Sequence, residues 1–276
     1  MGAELTALEG VGADDGRWWV ADHGSHVMAW QPAASDHPVL WHAPESLWES
    51  ALDDQDGAYL RGGVPICFPW FGTGGTPAHG LARRQVWERL DEDWSDDGAT
   101  LRVRHWLIHD QLEAFHTVTM TPDSLELVLE FTNNSPDEQR VEAAHHTYLA
   151  VSDVTRVSID GLAGAPYWDA ARDRRDVIPP GPVSIHPRTD AVIDTTGVVR
   201  LGDPGWGRSI TVEREGSPQV VVWNSRPAVD PGLGVTNDHW REFVCIESAL
   251  CREHALPLAP GATHRLVTRL TVTPTQ

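Results

Sequence analysis

The chain predicts an all-β fold, a large antiparallel β-sandwich, on three observations. Apolar and polar residues alternate with period two over several stretches. Turn-forming clusters separate those stretches. Amphipathic helical patterns are scarce, and no strand–helix–strand alternation points to a parallel sheet.

In chain order, residues 17–20 and 26–30 are short, aromatic and bounded by Gly or Asp, which suits strands joined by loops. Leu101, Val103, His105 and Leu107 alternate with Arg102, Arg104 and Trp106. Leu125, Leu127, Leu129 and Phe131 alternate with Glu126 and Glu130. Both are the signature of a half-buried strand. Residues 209–213, 219–223 and 265–272 repeat it. Asp97-Gly98, residues 132–136 and Pro179-Pro180-Gly181-Pro182 supply turns between them. All-β domains of this size commonly form one unit, so a single domain over residues 1–276 is expected.

The bulk properties exclude several function classes. A net charge of −19 repels nucleic acid and anionic membranes, so neither is an expected partner. An anionic substrate would need a local cluster of arginines, which supply all 21 basic residues. No run of 18 apolar residues occurs, and Met1-Gly2-Ala3-Glu4-Leu5 lacks the basic and apolar regions of a signal peptide. Cys67, Cys245 and Cys251 are odd in number and show no CxxC spacing. Together these lead us to expect a cytoplasmic, monomeric protein without disulfides.

The densest signal is residues 61–72, Arg-Gly-Gly-Val-Pro-Ile-Cys-Phe-Pro-Trp-Phe-Gly, followed by His79-Gly80-Leu81-Ala82-Arg83. Its Gly and Pro content forbids an ordinary helix or a long regular strand. Arg61 and Arg83 offer planar forks suited to a carboxylate or phosphate, and Phe68, Trp70 and Phe71 offer flat faces suited to a sugar ring. Metalloprotease, serine-hydrolase, Walker A and Rossmann motifs are absent from the sequence. His23 with His26, and His105 with His109, lack a third ligand at useful spacing, so no metal or cofactor is expected.

Two further segments could carry chemistry. Residues 243–247, Phe-Val-Cys-Ile-Glu, read as an apolar strand ending in a carboxylate, which is costly unless it has partners or opens into a wet cleft. Residues 143–148, Ala-Ala-His-His-Thr-Tyr, are also strand-like. Parity groups His146 with Tyr148 and His145 with Thr147 on opposite faces, without saying which face lines a cleft. A histidine facing Glu247 would supply an acid and a base near neutral pH.

RGGVPICFPWFG, HGLAR, HHTYLAVSDV, PRTD, VVVWN and FVCIES, in that order from about residue 40 to the C-terminus, resemble the hexose-6-phosphate mutarotase branch of the aldose 1-epimerase family. The resemblance implies a galactose-mutarotase-like antiparallel sandwich with its sugar site in an open cleft. It implies His146 and Glu247 as catalytic residues, and Arg61, Arg83 and Asp190 as phosphate and sugar contacts. Relatives often place a polar residue before the His-Gly pair; here it is Ala78. His79 is expected either in the pocket wall or in a structural hydrogen bond within its loop, and Trp70 and Trp223 either stack on the ring or belong to the core.

The implied reaction interconverts the α and β anomers of a hexose 6-phosphate, with glucose 6-phosphate as the expected small-molecule partner. Glu247 takes the proton of the anomeric hydroxyl while a protonated His146 supplies the ring oxygen. A mutarotase of free aldoses and a non-catalytic sugar-phosphate-binding protein are the two alternatives on the same scaffold.

Overall fold

The computed structural model describes residues 7–11, 16–44, 60–185, 189–225 and 239–275. The N-terminal segment Met1 to Leu5, and Pro187 and Arg188 of the PRTD block, lie outside the described residues. Among the described residues the helical pieces are the three-residue 3-10 turns Ala82–Arg84, His239–Arg241 and Arg252–His254. No helix there is long and apolar enough to cross a membrane.

Two large antiparallel sheets dominate, as the alternating pattern predicts. The nine-stranded sheet runs Val183–Ser184, Ser158–Asp160, Val199–Asp203, Arg208–Glu215, Thr263–Pro274, Ser124–Asn133, Leu112–Met120, Leu101–His109, Glu88–Trp94. The eight-stranded sheet runs Arg174–Val177, Pro166–Asp169, Asp190–Asp194, Gln219–Trp223, Phe243–Leu250, Ala143–His145, Ile66–Cys67, and Tyr148–Ala150 also pairs with Phe243–Leu250. A three-stranded sheet, Ala7–Val11, Arg17–Ala21 and His26–Gln31, and the pair Gln139–Val141 with Leu256–Leu258 complete the set.

The main core lies between the two large sheets. Val103, Val118, Leu127, Leu201, Ile210 and Leu270 pack from one side, and Ile193, Val220, Val222, Val244 and Ile246 from the other. Burying each such side chain contributes about 1.5–3 kcal/mol. Strands Leu101–His109, Leu112–Met120 and Ser124–Asn133 bury alternate residues, as sheets with one solvated face do. Phe243–Leu250 is instead buried along its whole length. Its odd-numbered residues point away from the core, where Cys245, Glu247 and Ala249 need cover of their own.

The Gly-rich segment supplies part of that cover, Cys67 and Phe71 clustering with Ala249, and it threads tightly past its neighbours. Gly63 has φ 58°, and a Cβ there would lie 2.1 Å from the Val27 carbonyl oxygen. At Gly62, φ 99°, a Cβ would lie 2.3 Å from the His42 Cα. Only glycine fits such a backbone. Of this segment, Ile66–Cys67 alone joins the sheet as a strand, pairing with Ala143–His145.

Candidate active site

Sheet register builds the site. Val221 lies opposite Glu247, Trp223 opposite Cys245, and Asp190 opposite Trp223. On the far side of the same strand, His145 lies opposite Ser248 and Tyr148 opposite Cys245. The ladder is interrupted at His146 and Thr147, where the Thr147 N–H donates to the His145 carbonyl at 2.9 Å. Register is the same on both sides of the break, so His146 falls opposite Glu247. Here the structure decides what parity left open. His145 turns into the core, its Nδ1 2.8 Å from Thr268 Oγ1, while His146 and Tyr148 face outward.

That outward face floors a cleft of about 710 Å³. Arg61, His79, Arg83, His146, Asp190 and Glu247 all line it, so the six predicted residues are brought together from five separate chain segments. His146 Nδ1 lies 3.5 Å from Glu247 Oε1, within ion-pair range but too long for a hydrogen bond. Their side chains are 8% and 1% exposed, and neither His146 Nδ1 nor Glu247 Oε2 has a hydrogen-bond partner among the described residues. The His146 ring stacks on Tyr148 at 4.9 Å and meets the edges of His79 at 5.5 Å and Trp223 at 5.8 Å.

Each arginine is partly held by the protein. Arg61 Nη1 donates to the Tyr148 hydroxyl at 3.2 Å, and Arg83 Nη2 donates to the Ala78 carbonyl at 2.8 Å. Position 78 therefore takes part through its backbone, whatever its side chain. His79 fills both of its expected places. It lines the cleft, and its Nδ1 lies 3.3 Å from Cys67 Sγ and 3.4 Å from the Gly72 N–H.

Burial sets the protonation of the pair. It pushes the His146 pKa well below the ordinary imidazole range, helped by His79, Arg83 and Arg61. It pushes Glu247 well above the carboxylate range, helped by Asp190 and partly offset by Arg83. In the protein alone, desolvation favours the neutral imidazole and the carboxylic acid, whereas the implied reaction calls for a charged His146 and an ionised Glu247 with substrate bound. The two descriptions hold the same number of protons and differ by one transfer. His79 is lowered to about 3 by burial, then by Arg83 and Arg61, and Asp190 is raised by burial and by Asp169. Cys245 completes a trio with the pair, all donor atoms within 4.8 Å of one another. Burial and Glu247 push its thiol well up.

Two of the loop's aromatic side chains stay out of the cleft. Phe68 packs into the core at 5.2 Å from Phe131. Trp70 folds over Gly75 and donates to the Pro77 carbonyl at 2.7 Å, outside the cleft lining. Phe71 and Trp223 do line it. Sequence reasoning also missed Glu142, Trp168 and Arg252, three further lining residues. Glu142 has the same signal that singled out Glu247, a carboxylate beside an apolar strand segment. Trp168 and Arg252 meet across the fold and leave no local signal.

A histidine–glutamate pair floors an arginine-lined cleft, and the antiparallel sandwich that carries it is the fold of galactose-mutarotase-like proteins. The chain belongs to the aldose 1-epimerase family, whose model matches residues 14–271, and it is an isomerase acting on carbohydrates. It is 30% identical over 244 residues to a protein of Escherichia coli (strain K12) named "Putative glucose-6-phosphate 1-epimerase", covering 83% of this chain and 78% of that one. A Salmonella typhimurium protein of the same name is 30% identical over 241 residues, 82% of this chain and 76% of that one. The crystal structure of a "putative mutarotase (YeaD)" from Salmonella typhimurium superposes with TM-score 0.80 at 25% identity, covering 94% of this chain and 88% of that one.

Proposed function

We propose that this isomerase is a glucose-6-phosphate 1-epimerase, interconverting the α and β anomers of a hexose 6-phosphate. The observation that carries the reading is His146 standing 3.5 Å from Glu247 in a cleft that also holds Arg61 and Arg83. The names borne by the two bacterial relatives support the choice of a phosphorylated sugar.

Glu247 accepts the proton of the anomeric hydroxyl, and His146 gives a proton to the ring oxygen as the bond from that oxygen to the anomeric carbon breaks. The aldehyde rotates about its bond to the next carbon. The ring oxygen then attacks the other face, returning its proton to His146 while Glu247 protonates the new hydroxyl. Arg61 and Arg83 anchor the anion, and Asp190 accepts hydrogen bonds from sugar hydroxyls.

Polarimetry or NMR exchange on freshly dissolved α-glucose 6-phosphate and α-glucose tests the reading. A two-arginine anchor leads us to expect kcat/KM higher for the phosphate ester by about tenfold or more, since one lost charged contact is worth a decade or so. Equal rates on both sugars point to a free-aldose mutarotase. Binding of the ester without acceleration points to a non-catalytic sugar-phosphate-binding protein.

A further inference from the structure

The cleft holds a third arginine that the acid–base chemistry does not use. Arg252 stands just past strand Phe243–Leu250, at the start of a 3-10 turn, with φ 57°. A long side chain rarely adopts that left-handed backbone, and such strain concentrates where a side chain must be aimed. Its guanidinium carbon lies 3.5 Å from the centroid of the Trp168 ring, and both residues line the cleft. Stacking on an indole fixes the plane of the fork while leaving its edge for hydrogen bonds.

The protein leaves that edge available. Among the described residues, the carboxylate oxygen within ion-pair range of the Arg252 side chain is Glu253 Oε2, 3.8 Å from Nε. The side chain is 40% exposed. Its backbone is firmly held, because Glu142 Oε1 accepts the Arg252 N–H at 2.7 Å while Oε2 accepts the Phe71 N–H at 2.9 Å. One carboxylate thus ties the turn carrying Arg252 to the Gly-rich segment.

A phosphate monoester presents three terminal oxygens with more acceptor sites than two arginines can fill. The forks of Arg61 and Arg83 are each partly committed, to the Tyr148 hydroxyl and the Ala78 carbonyl. We propose that Arg252, held flat on Trp168, is a specificity-determining residue that binds the substrate's terminal phosphate oxygens and so favours phosphorylated over free hexoses. This rests on the phosphohexose reading above.

Steady-state anomerisation of glucose 6-phosphate, and its inhibition by inorganic phosphate, test the assignment in Arg252→Asn, Arg252→Lys and Trp168→Leu. Asparagine tolerates the left-handed backbone, so fork loss is separated from misfolding, and melting curves check this. Arg252→Asn should raise KM for the ester about tenfold and weaken phosphate inhibition by a similar factor, with a smaller change in kcat. Arg252→Lys should recover part of the loss, and Trp168→Leu should shift KM in the same direction as Arg252→Asn. A folded Arg252→Asn whose KM and phosphate inhibition both stay within about twofold of wild type overturns the proposal. A wild-type protein inactive on the ester overturns the phosphohexose reading, and this assignment with it.

Discussion

Replacing Glu247 by Gln should separate the chemistry of this site from its stability. The side chain is 1% exposed, and the amide keeps its volume while removing the proton acceptor. Loss of a positioned base costs about 10²–10⁴ in rate, or roughly 3–5 kcal/mol at 1.36 kcal/mol per decade. Stability should move the other way. Burial and Asp190 hold the Glu247 pKa above its unfolded value of 4.5. Above that pH the folded state binds more protons than the unfolded chain, so this group's contribution falls as pH rises. The loss is about 1.4 kcal/mol per pH unit until the folded acid itself ionises. Glutamine does not titrate, so the variant gains on wild type as pH rises above 4.5, until the folded acid itself ionises. For a chain of this size each kcal/mol corresponds to roughly 2–4 °C in melting temperature. Polarimetry with glucose 6-phosphate reads the first effect, and calorimetry at several pH values reads the second. Activity retained within tenfold, or a variant less stable than wild type at pH 7.5, would refute the reasoning.

Two further outcomes follow from the same geometry. His146→Gln alone should lose about 10²–10⁴ in kcat, and combining it with Glu247→Gln should add less than about tenfold, because both residues serve one proton exchange; multiplicative losses in a double-mutant cycle would show them acting independently. Acid should destabilise the fold steeply below pH 6.5. His26 and His145 are fully buried, and burial lowers both to about 3, so between those values the unfolded chain binds protons the folded one does not. Stability from these two is complete above pH 6.5 and falls by about 3 kcal/mol per pH unit below it. Urea unfolding at pH 6.5 and 5.5 measures this, and equal midpoints would mean the two rings are not held neutral.

Much of the fold was legible because period-two alternation has one physical cause, a pleated strand with one buried face. Leu101–His109 and Ser124–Asn133 fall where the pattern put them. The pairing of His146 with Glu247 was half legible. Parity restricted the choice to two faces, but only register across Phe243–Leu250 decides which of them meets the carboxylate. The aromatic loop stayed open because composition does not say which way a ring turns. Phe68 found a better partner in Phe131 than in solvent, and Gly75 left room for the Trp70 ring to fold back. Arg252 and Trp168 were illegible for a different reason, since two residues 84 positions apart meet through sheet topology alone.

The protonation of the pair turns on attraction weighed against desolvation. At 3.5 Å and an effective dielectric constant near 20, the ionic form gains about 5 kcal/mol. Removing two ions from water costs several kcal/mol each, and a spacing too long for a hydrogen bond returns little of it. Burial therefore favours the neutral form, and the ionic form is one proton transfer away. A sugar bound between them changes the balance. In the proposed reaction its anomeric hydroxyl donates to the carboxylate and its ring oxygen accepts from the imidazole, two hydrogen bonds to the ionic form of the pair. Substrate binding thus stabilises the tautomer that ring opening needs, and a pair with its own tight hydrogen bond would have to break it first.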